Sequence, residues 1–559
     1  MQRREFMKLG MATAALSLTG CRTYPDLPMT GQLVDAHCHV FNASDLPVVR
    51  FIKHSVLAHY PRQTETNIMK VRDPDLEDFL IDLAQHLLGV GSAPTAREEM
   101  EVLEGRKKSK RVFSDYEAAQ AQAVAQTAVF LQQLQEDAGG GLATMGVREK
   151  SRAERQLDAF LAAIGENAPR TQSLSPLDTT RLATKSFSRL DQIGAYLRWI
   201  PLFRLYRHKL VARLIEDQVK QGRDPLLLAP ATVDFDHWLN EKVDRSPLPD
   251  QAKLMGLLAK RKDGPLIHAY FGFDPLREIY HRAGNPTFSP MKEFKRALNN
   301  HGFLGAKLYP PMGFSASGNK PPYPFSVKKD LGIDPSTRLN NVLGELYAFC
   351  EDEGVPILAH ANASNGAGPD YNARADVAFW LPVFKSRPKL RVCLAHFGHF
   401  AIGDASKDRA QSWEWRFGSY IRDNPDAPVY ADLSFFSELL NADSRQRSQL
   451  ADDFNSWTEE FDRDADHLVF GTDWLMLGMH PGYGAYIPTV ERFLVEDCKW
   501  PEHKLSKVFT TNALRFMGLQ RGDKTLGRLE DFYRRNSLDV SRLQRLSDSA
   551  TRSAAIKGT

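Results

Sequence analysis

The chain reads as an α/β protein, a (β/α)8 barrel interrupted by a large helical insertion after its first strand. Three observations carry that reading. Eight short apolar runs recur along the 559 residues. From the third run onward, the gaps between them carry helical periodicity. The gap after the first run is different: roughly 180 residues, almost wholly helical in pattern, far longer than an ordinary strand-to-helix loop.

The runs are "QLVDAHCHV" near 32–40, "PLLLAPATVDF" near 225–235, "PLIHAYFGF" near 265–273 and "FLGAKLYP" near 303–310, then "VPILAHA" near 355–361, "LRVCLAHF" near 390–397, "APVYADLSF" near 427–435 and "DHLVFGTDW" near 466–474. Continuous apolar runs of this length suit strands buried on both faces of a parallel sheet. Between them lie "PMKEFKRALNN", "STRLNNVLGELYAFCEDEG" and "SRQRSQLADDFNSWTEEF", each with apolar residues at helical spacing. Strand alternating with helix predicts a parallel sheet, and eight repeats predict a barrel. The expected layout is a first strand at 32–42, a helical cap at 43–223, the rest of the barrel at 224–520 and a polar, helical, peripheral tail at 521–559. Within the cap, "WIPLFRLYRHKLVARLI" reads as a buried helix rather than a membrane-seeking face.

Composition is that of an ordinary globular protein, with 42% hydrophobic and 25% charged residues. Lys and Arg (72) nearly balance Asp and Glu (69), so charge makes no general case for a nucleic-acid partner. The basic run Arg106 to Arg111 adjoins a helical segment and reads as a solvated face. Cys38, Cys350, Cys393 and Cys498 each stand alone beside apolar residues, which points to buried thiols rather than disulfides.

The first 21 residues, "MQRREFMKLGMATAALSLTGC", are read apart from the fold. A twin-arginine pair (Arg3, Arg4) precedes a short apolar stretch too brief to span a bilayer, and Leu18-Thr19-Gly20-Cys21 closes it. The segment resembles a twin-arginine export signal ending in a lipobox. It implies an exported protein, periplasmic or at the cell surface, anchored to the membrane through lipid on Cys21.

The chemistry concentrates at the C-terminal ends of the runs. His37 and His39, two apart, face the same side of a strand and form a pair of imidazole donors. His360 ends "VPILAH", His396 ends "LRVCLAH" and Asp473 closes "HLVFGTD". Each follows residues that would be buried, where an unpaired polar group costs several kcal/mol, and a shared metal would resolve them all. In a barrel those strand ends meet at one mouth. A divalent ion there lowers the pKa of water from about 15.7 toward ~7; Asp473 can take the proton, and His396 can orient the water or stabilise developing charge.

The order "DAHCHVF", "GAKLYP", "ILAHA", "LAHFGH", "FGTDW" and "TTNALRFMGL" resembles the amidohydrolase superfamily, and within it the amidohydrolase-2 branch that includes aminocarboxymuconate semialdehyde decarboxylase. The resemblance covers the first strand and roughly 225–520. It implies a TIM barrel of the metal-dependent hydrolase type with one divalent ion, commonly zinc, with manganese or a second ion as the alternatives. It implies metal contacts from His37, His39, His360 and Asp473 and an active-site role for His396. Lys307 in "GAKLYP" has three readings: a carbamylated bridge between two metals, a contact to a substrate carboxylate, or a structural ion pair. His399 and Asn362 are weaker candidates for supporting roles, Asn362 and Asn365 reading equally as turn residues; His268 and His301 read as structural. The expected activity is hydrolysis of a C–N or C–O bond in a small organic substrate. Its rivals are non-oxidative decarboxylation of an unsaturated or aromatic acid at the same site, and a membrane-anchored binding protein without catalysis.

Overall fold

The computed structural model describes residues 31–57, 73–89, 93–139, 150–166, 174–240, 245–324, 327, 331, 334–362, 364, 366–398, 400 and 412–555. Cys21 with the whole leader, Asn365 and His399 lie outside them. Among the described residues no helix is long and apolar enough to cross a membrane.

The protein is α/β with parallel sheets. Its strands are β1 Gln32–Cys38, β2 Asp224–Pro230, β3 Leu266–Ile267, β4 Tyr270–Gly272, β5 Gly305–Leu308, β6 Ile357–His360, β7 Val392–Ala395, β8 Val429–Asp432 and β9 Leu468–Val469. All pairings between neighbours are parallel. They form two sheets, β1-β2-β3 and β4-β5-β6-β7-β8-β9, in place of the single ladder expected from the eight runs. The break falls inside the third run. Leu266 and Ile267 pair with β2, and from Tyr270 onward the chain pairs with β5. Between them His268 N still donates to the Leu228 carbonyl at 3.1 Å, while the Ala269 carbonyl already accepts from Leu304 N at 2.9 Å. A single parallel bridge, Ala231 to Tyr270, joins the two sheets at this point. On the other side, Ala36 N donates to the Phe470 carbonyl at 3.1 Å and Thr472 N to that of His37 at 3.0 Å.

The first strand also ends earlier than expected. Past Cys38, whose carbonyl accepts from Ala231 N at 2.8 Å, the amide of His39 turns away to the Trp474 carbonyl. His39 therefore sits on the loop side of the strand end rather than within the strand.

The long gap forms α1 Pro74–Leu88, α2 Ala96–Leu103, α3 Tyr116–Gly139, α4 Arg152–Ala163, α5 Pro176–Ser188, α6 Gln192–Trp199 and α7 Arg207–Lys220. Their starts are written in the sequence: Thr95 with Glu98, Ser151 with Glu154 and Ser175 with Asp178 each close a reciprocal cap, which satisfies two otherwise orphan amides per helix. The run from Trp199 to Leu214 is buried as expected but is not one helix: α6 ends at Trp199, a 3-10 turn spans Ile200–Arg204 and α7 begins at Arg207, with Trp199, Ile200, Phe203, Leu210, Val211 and Leu214 fully or almost fully buried. Three contacts seat this layer on the strand ends. The Trp199 indole donates to the Leu475 carbonyl at 2.9 Å, Gln218 Nε2 to Asp35 at 2.7 Å, and Arg207 Nε to Asp45 at 2.9 Å.

A helix that the sequence pattern did not announce, α8 Leu248–Leu258, fills the gap before the third run, and the helices expected after it form as α9 Pro290–Asn300, α10 Ser336–Asp352, α11 Trp413–Asp423 and α12 Ser444–Phe461. The tail, α13 Lys524–Arg535 and α14 Ser541–Ala555, is helical but not peripheral. Leu529, Phe532, Tyr533 and Leu543 join an apolar cluster with Leu227, Leu266, Tyr270 and Leu358 from the strands. The polar residues that suggest a surface tail share these helices with the apolar ones that pack inward. The four cysteines of the described chain are buried free thiols.

Candidate metal centre

β1 presents His37 at the sheet's C-terminal edge, and the loop after β9 brings Asp473 to it. Gly471 permits the approach: a Cβ there would lie 2.8 Å from Cβ of His37. The His37 carbonyl then accepts both Thr472 N (3.0 Å) and Asp473 N (2.7 Å). This grip holds Asp473 at φ +51°, and His396 stands at φ +71°. Two non-glycine residues in the left-handed region at one site mark stored backbone strain, which neighbouring contacts must sustain.

His37, His39 and Asp473 each turn one donor atom into a single group, the atoms all within 4.8 Å of one another. His39 Nε2 is 3.1 Å, and His37 Nε2 3.6 Å, from Asp473 Oδ1. All three side chains are buried. The other nitrogen of His39, Nδ1, lies 2.9 Å from the Ala231 carbonyl, an atom that only accepts, so Nδ1 carries the proton. The Nε2 of His39 is thereby aimed at a carboxylate oxygen of Asp473. The donor set of the group, imidazole nitrogens with a carboxylate oxygen, suits a divalent ion of the zinc type.

His37 makes the same kind of arrangement with a different clamp. Its Nδ1 lies 3.1 Å from Asp432 Oδ2 and 3.0 Å from Ser434 Oγ, leaving Nε2 for the site. Lys307 Nζ, on β5, donates to that Nε2 at 2.7 Å. Burial brings the Lys307 ammonium down to about 8 against the pull of Asp473 and Asp432. Burial, then Lys307 and His39, hold His37 well below the ordinary histidine range, so its ring stays neutral.

His360 stands beside this group rather than in it. Its Nδ1 is 3.0 Å from Nε2 of His396, and its Nε2 is buried with no hydrogen-bond partner. Burial and then the Lys307 charge lower it to about 3. Asn362 meets it through a main-chain hydrogen bond. His396 is likewise lowered, by burial and then by His360 and His37. A second possible ligand group, His37, His396 and Asp432, is explained without an ion. Asp432 Oδ1 accepts from His396 N (2.9 Å), Ser434 N (3.0 Å) and Ser434 Oγ (2.5 Å), so its lone pairs are already taken.

Sequence reasoning missed Asp35, Asp432 and Ser434. Asp35, fully buried, accepts from Thr472 N (3.0 Å), Thr472 Oγ1 (2.7 Å), His37 N (3.3 Å) and Gln218 Nε2, tying the two ligand-bearing segments to the cap. Burial pushes its carboxyl up to about 7. A signal was present: Asp35 precedes His37 by two, and Asp432 ends an apolar run just as His360 and His396 do.

A protein-family model described as amidohydrolase matches residues 280–519. The match takes in Lys307, His360, His396, Asp432 and Asp473, and leaves His37 and His39 outside it. It supports an enzyme of the amidohydrolase superfamily, a metal-dependent hydrolase in general. No curated protein matches the chain. Among solved structures, an uncharacterized TIM-barrel protein from Bordetella bronchiseptica is 17% identical, covering 56% of this chain and 83% of its own, with a TM-score of 0.33. An amidohydrolase from Burkholderia multivorans with bound zinc is 11% identical, with coverages of 57% and 91% and a TM-score of 0.34. A dihydroorotase from Campylobacter jejuni is 12% identical, with coverages of 55% and 80% and a TM-score of 0.32. At such scores these likenesses carry no argument about this chain.

Proposed function

We propose that this protein hydrolyses a C–N or C–O bond of a small organic substrate, with His37, His39, His360 and Asp473 holding one divalent ion, zinc in the first instance. The observation that carries the reading is the convergence of one donor atom each from His37, His39 and Asp473, all within 4.8 Å of one another in a buried site. The orphaned Nε2 of His360 supports it. The two sheets are, on this reading, parts of one (β/α)8 barrel. The Ala231–Tyr270 bridge and the hydrogen bonds from Ala36 and Thr472 to the opposite segment favour that closure.

When bound, the ion supplies Lewis acidity, which brings the ionisation of water toward neutral pH. The remaining work falls to the chain. Asp473 accepts a proton from the attacking water and returns it to the leaving nitrogen or oxygen. Lys307, the cation of the site, balances negative charge that develops on the attacked group. His37 and His360, held below the ordinary histidine range by burial, stay neutral and keep lone pairs for binding.

The same Lys307 favours a second reading, in which its buried ammonium receives a substrate carboxylate and the reaction is a non-oxidative decarboxylation. Metal analysis of the purified protein, followed by assays in 18O-labelled water, separates the possibilities. Label in the organic product supports hydrolysis; release of carbon dioxide with no label in the organic product supports decarboxylation. Absence of bound metal, with no response to added zinc or manganese, overturns both in favour of a binding protein. From the leader motif alone we further propose export and anchoring through lipid on Cys21. In that case Cys21→Ala releases the protein from the membrane fraction.

A further inference from the structure

His396 faces no open position, because both of its ring nitrogens are engaged. Nδ1 lies 3.2 Å from the Ser434 carbonyl and 2.9 Å from the Ser434 hydroxyl. The carbonyl only accepts. The hydroxyl commits its one hydrogen to Asp432 Oδ1 at 2.5 Å, so toward His396 it too offers only a lone pair. Both partners therefore demand a proton on His396 Nδ1. A second proton, on Nε2, would make a buried imidazolium and force the hydrogen of the facing His360 onto its own Nε2, a buried donor without an acceptor, so Nε2 of His396 carries a lone pair.

That lone pair meets Nδ1 of His360 at 3.0 Å. Two lone pairs cannot face each other in a buried contact without a penalty, so His360 must carry its proton on Nδ1. The consequence falls on the far nitrogen. His360 Nε2, the buried atom with no partner, is left as a lone pair.

We infer that His396 is a positioning residue: it fixes the tautomer and orientation of His360, and Asp432 with Ser434 fixes His396 in turn. This role differs from the water-orienting one expected from the sequence, and it rests on the metal reading above. The same Ser434 hydroxyl and Asp432 carboxylate stand 3.0 and 3.1 Å from Nδ1 of His37. One Asp–Ser pair at the end of β8 thus prepares the Nε2 lone pairs of histidines on β1 and β6, the second of them through β7.

The test compares zinc affinity, by competition with a chromophoric chelator, in the full-length wild type, His396→Gln and His396→Leu. It is joined by long-range 1H–15N spectra of the zinc-free wild type labelled with 15N-histidine. A Gln side chain keeps an oxygen that can accept from His360 Nδ1–H, and Leu does not. Expected are a loss of roughly 10- to 100-fold in zinc affinity for His396→Leu, the range for supporting partners of metal ligands, recovery of most of it in His396→Gln, and Nδ1–H tautomers for His360 and His396. Unchanged affinity in His396→Leu overturns the role, as do equal losses in both variants or an Nε2–H tautomer at His360. If His396→Leu does not fold, the spectra decide alone. A wild type that binds neither zinc nor manganese overturns the metal reading instead, while the tautomers remain measurable.

Discussion

Arg207 offers the sharpest check on how the cap is held to the strands. Its guanidinium is 2% exposed and meets Asp45 Oδ1 at 2.5 Å, Glu99 Oε2 at 3.2 Å, Ser44 Oγ at 2.7 Å and the Pro94 carbonyl at 2.8 Å. Asp45 follows β1, Glu99 lies on α2 and Arg207 opens α7, so one side chain joins three segments. Arg207→Met keeps much of the volume and removes the charge. Breaking a buried pair from one side costs about 3–5 kcal/mol, because the partner is left buried and uncompensated. Two carboxylates lose a partner here. Glu99 keeps His208, with Nδ1 at 2.9 Å, so the upper part of that range applies rather than twice it. Unfolding entropy of about 2.1 cal/mol/K per residue gives roughly 1 kcal/mol/K for a unit of some 500 residues. The expected fall in Tm is then about 4–5 °C, and roughly three times that if a helical cap of some 150 residues unfolds by itself. Calorimetry at pH 7 and pH 5 supplies the second half of the test. Buried carboxylates without their cation have raised pKa values. Folding of the variant therefore takes up protons, and its stability is recovered as pH falls and lost as pH rises. The deficit against wild type must be larger at pH 7 than at pH 5. A fall below 1 °C, or an equal deficit at both values, refutes the reasoning.

Gly471→Ala places a methyl 2.8 Å from Cβ of His37 and 3.2 Å from that of Ser434; a cost of about 1–3 kcal/mol in urea titrations is expected, together with weaker zinc binding. Lys307→Met removes the donor that occupies His37 Nε2, so zinc affinity should rise roughly tenfold, a fraction of the ~4 kcal/mol between unit charges 4 Å apart at an effective dielectric of 20; a loss of affinity instead points to a carbamylated bridging lysine. His268 is brought by burial to about 4 in the fold. Since its unfolded value is near ~6.5, the unfolded chain takes up a proton first as pH falls, and stability is lost between about 6.5 and 4, by roughly 2 kcal/mol at pH 5. His268→Gln should be less stable than wild type at pH 7 by a margin that narrows over this window, and parallel pH profiles would refute the assignment.

Much of this protein is set by local chemistry and is legible without coordinates. Strands buried on both faces must be nearly all apolar, so the runs ending in His360, His396 and Asp473 announce both their burial and the point where polar work begins. Capping residues such as Ser151 and Glu154 mark helix starts because orphan amides need acceptors next to them in sequence. What pairs with what across hundreds of residues follows no local rule. Asp432 and Ser434 matter because β8 lies beside β7, and because the chain after β9 crosses back to β1; neither adjacency is encoded in the residues themselves. The tail shows the same limit, since the burial of Phe532 depends on the surface that receives it. Protonation is the furthest from sequence. Whether His360 presents a lone pair is decided by His396, and that in turn by a serine carbonyl, because a neutral imidazole takes its tautomer from whichever hydrogen-bond partners the fold places around it.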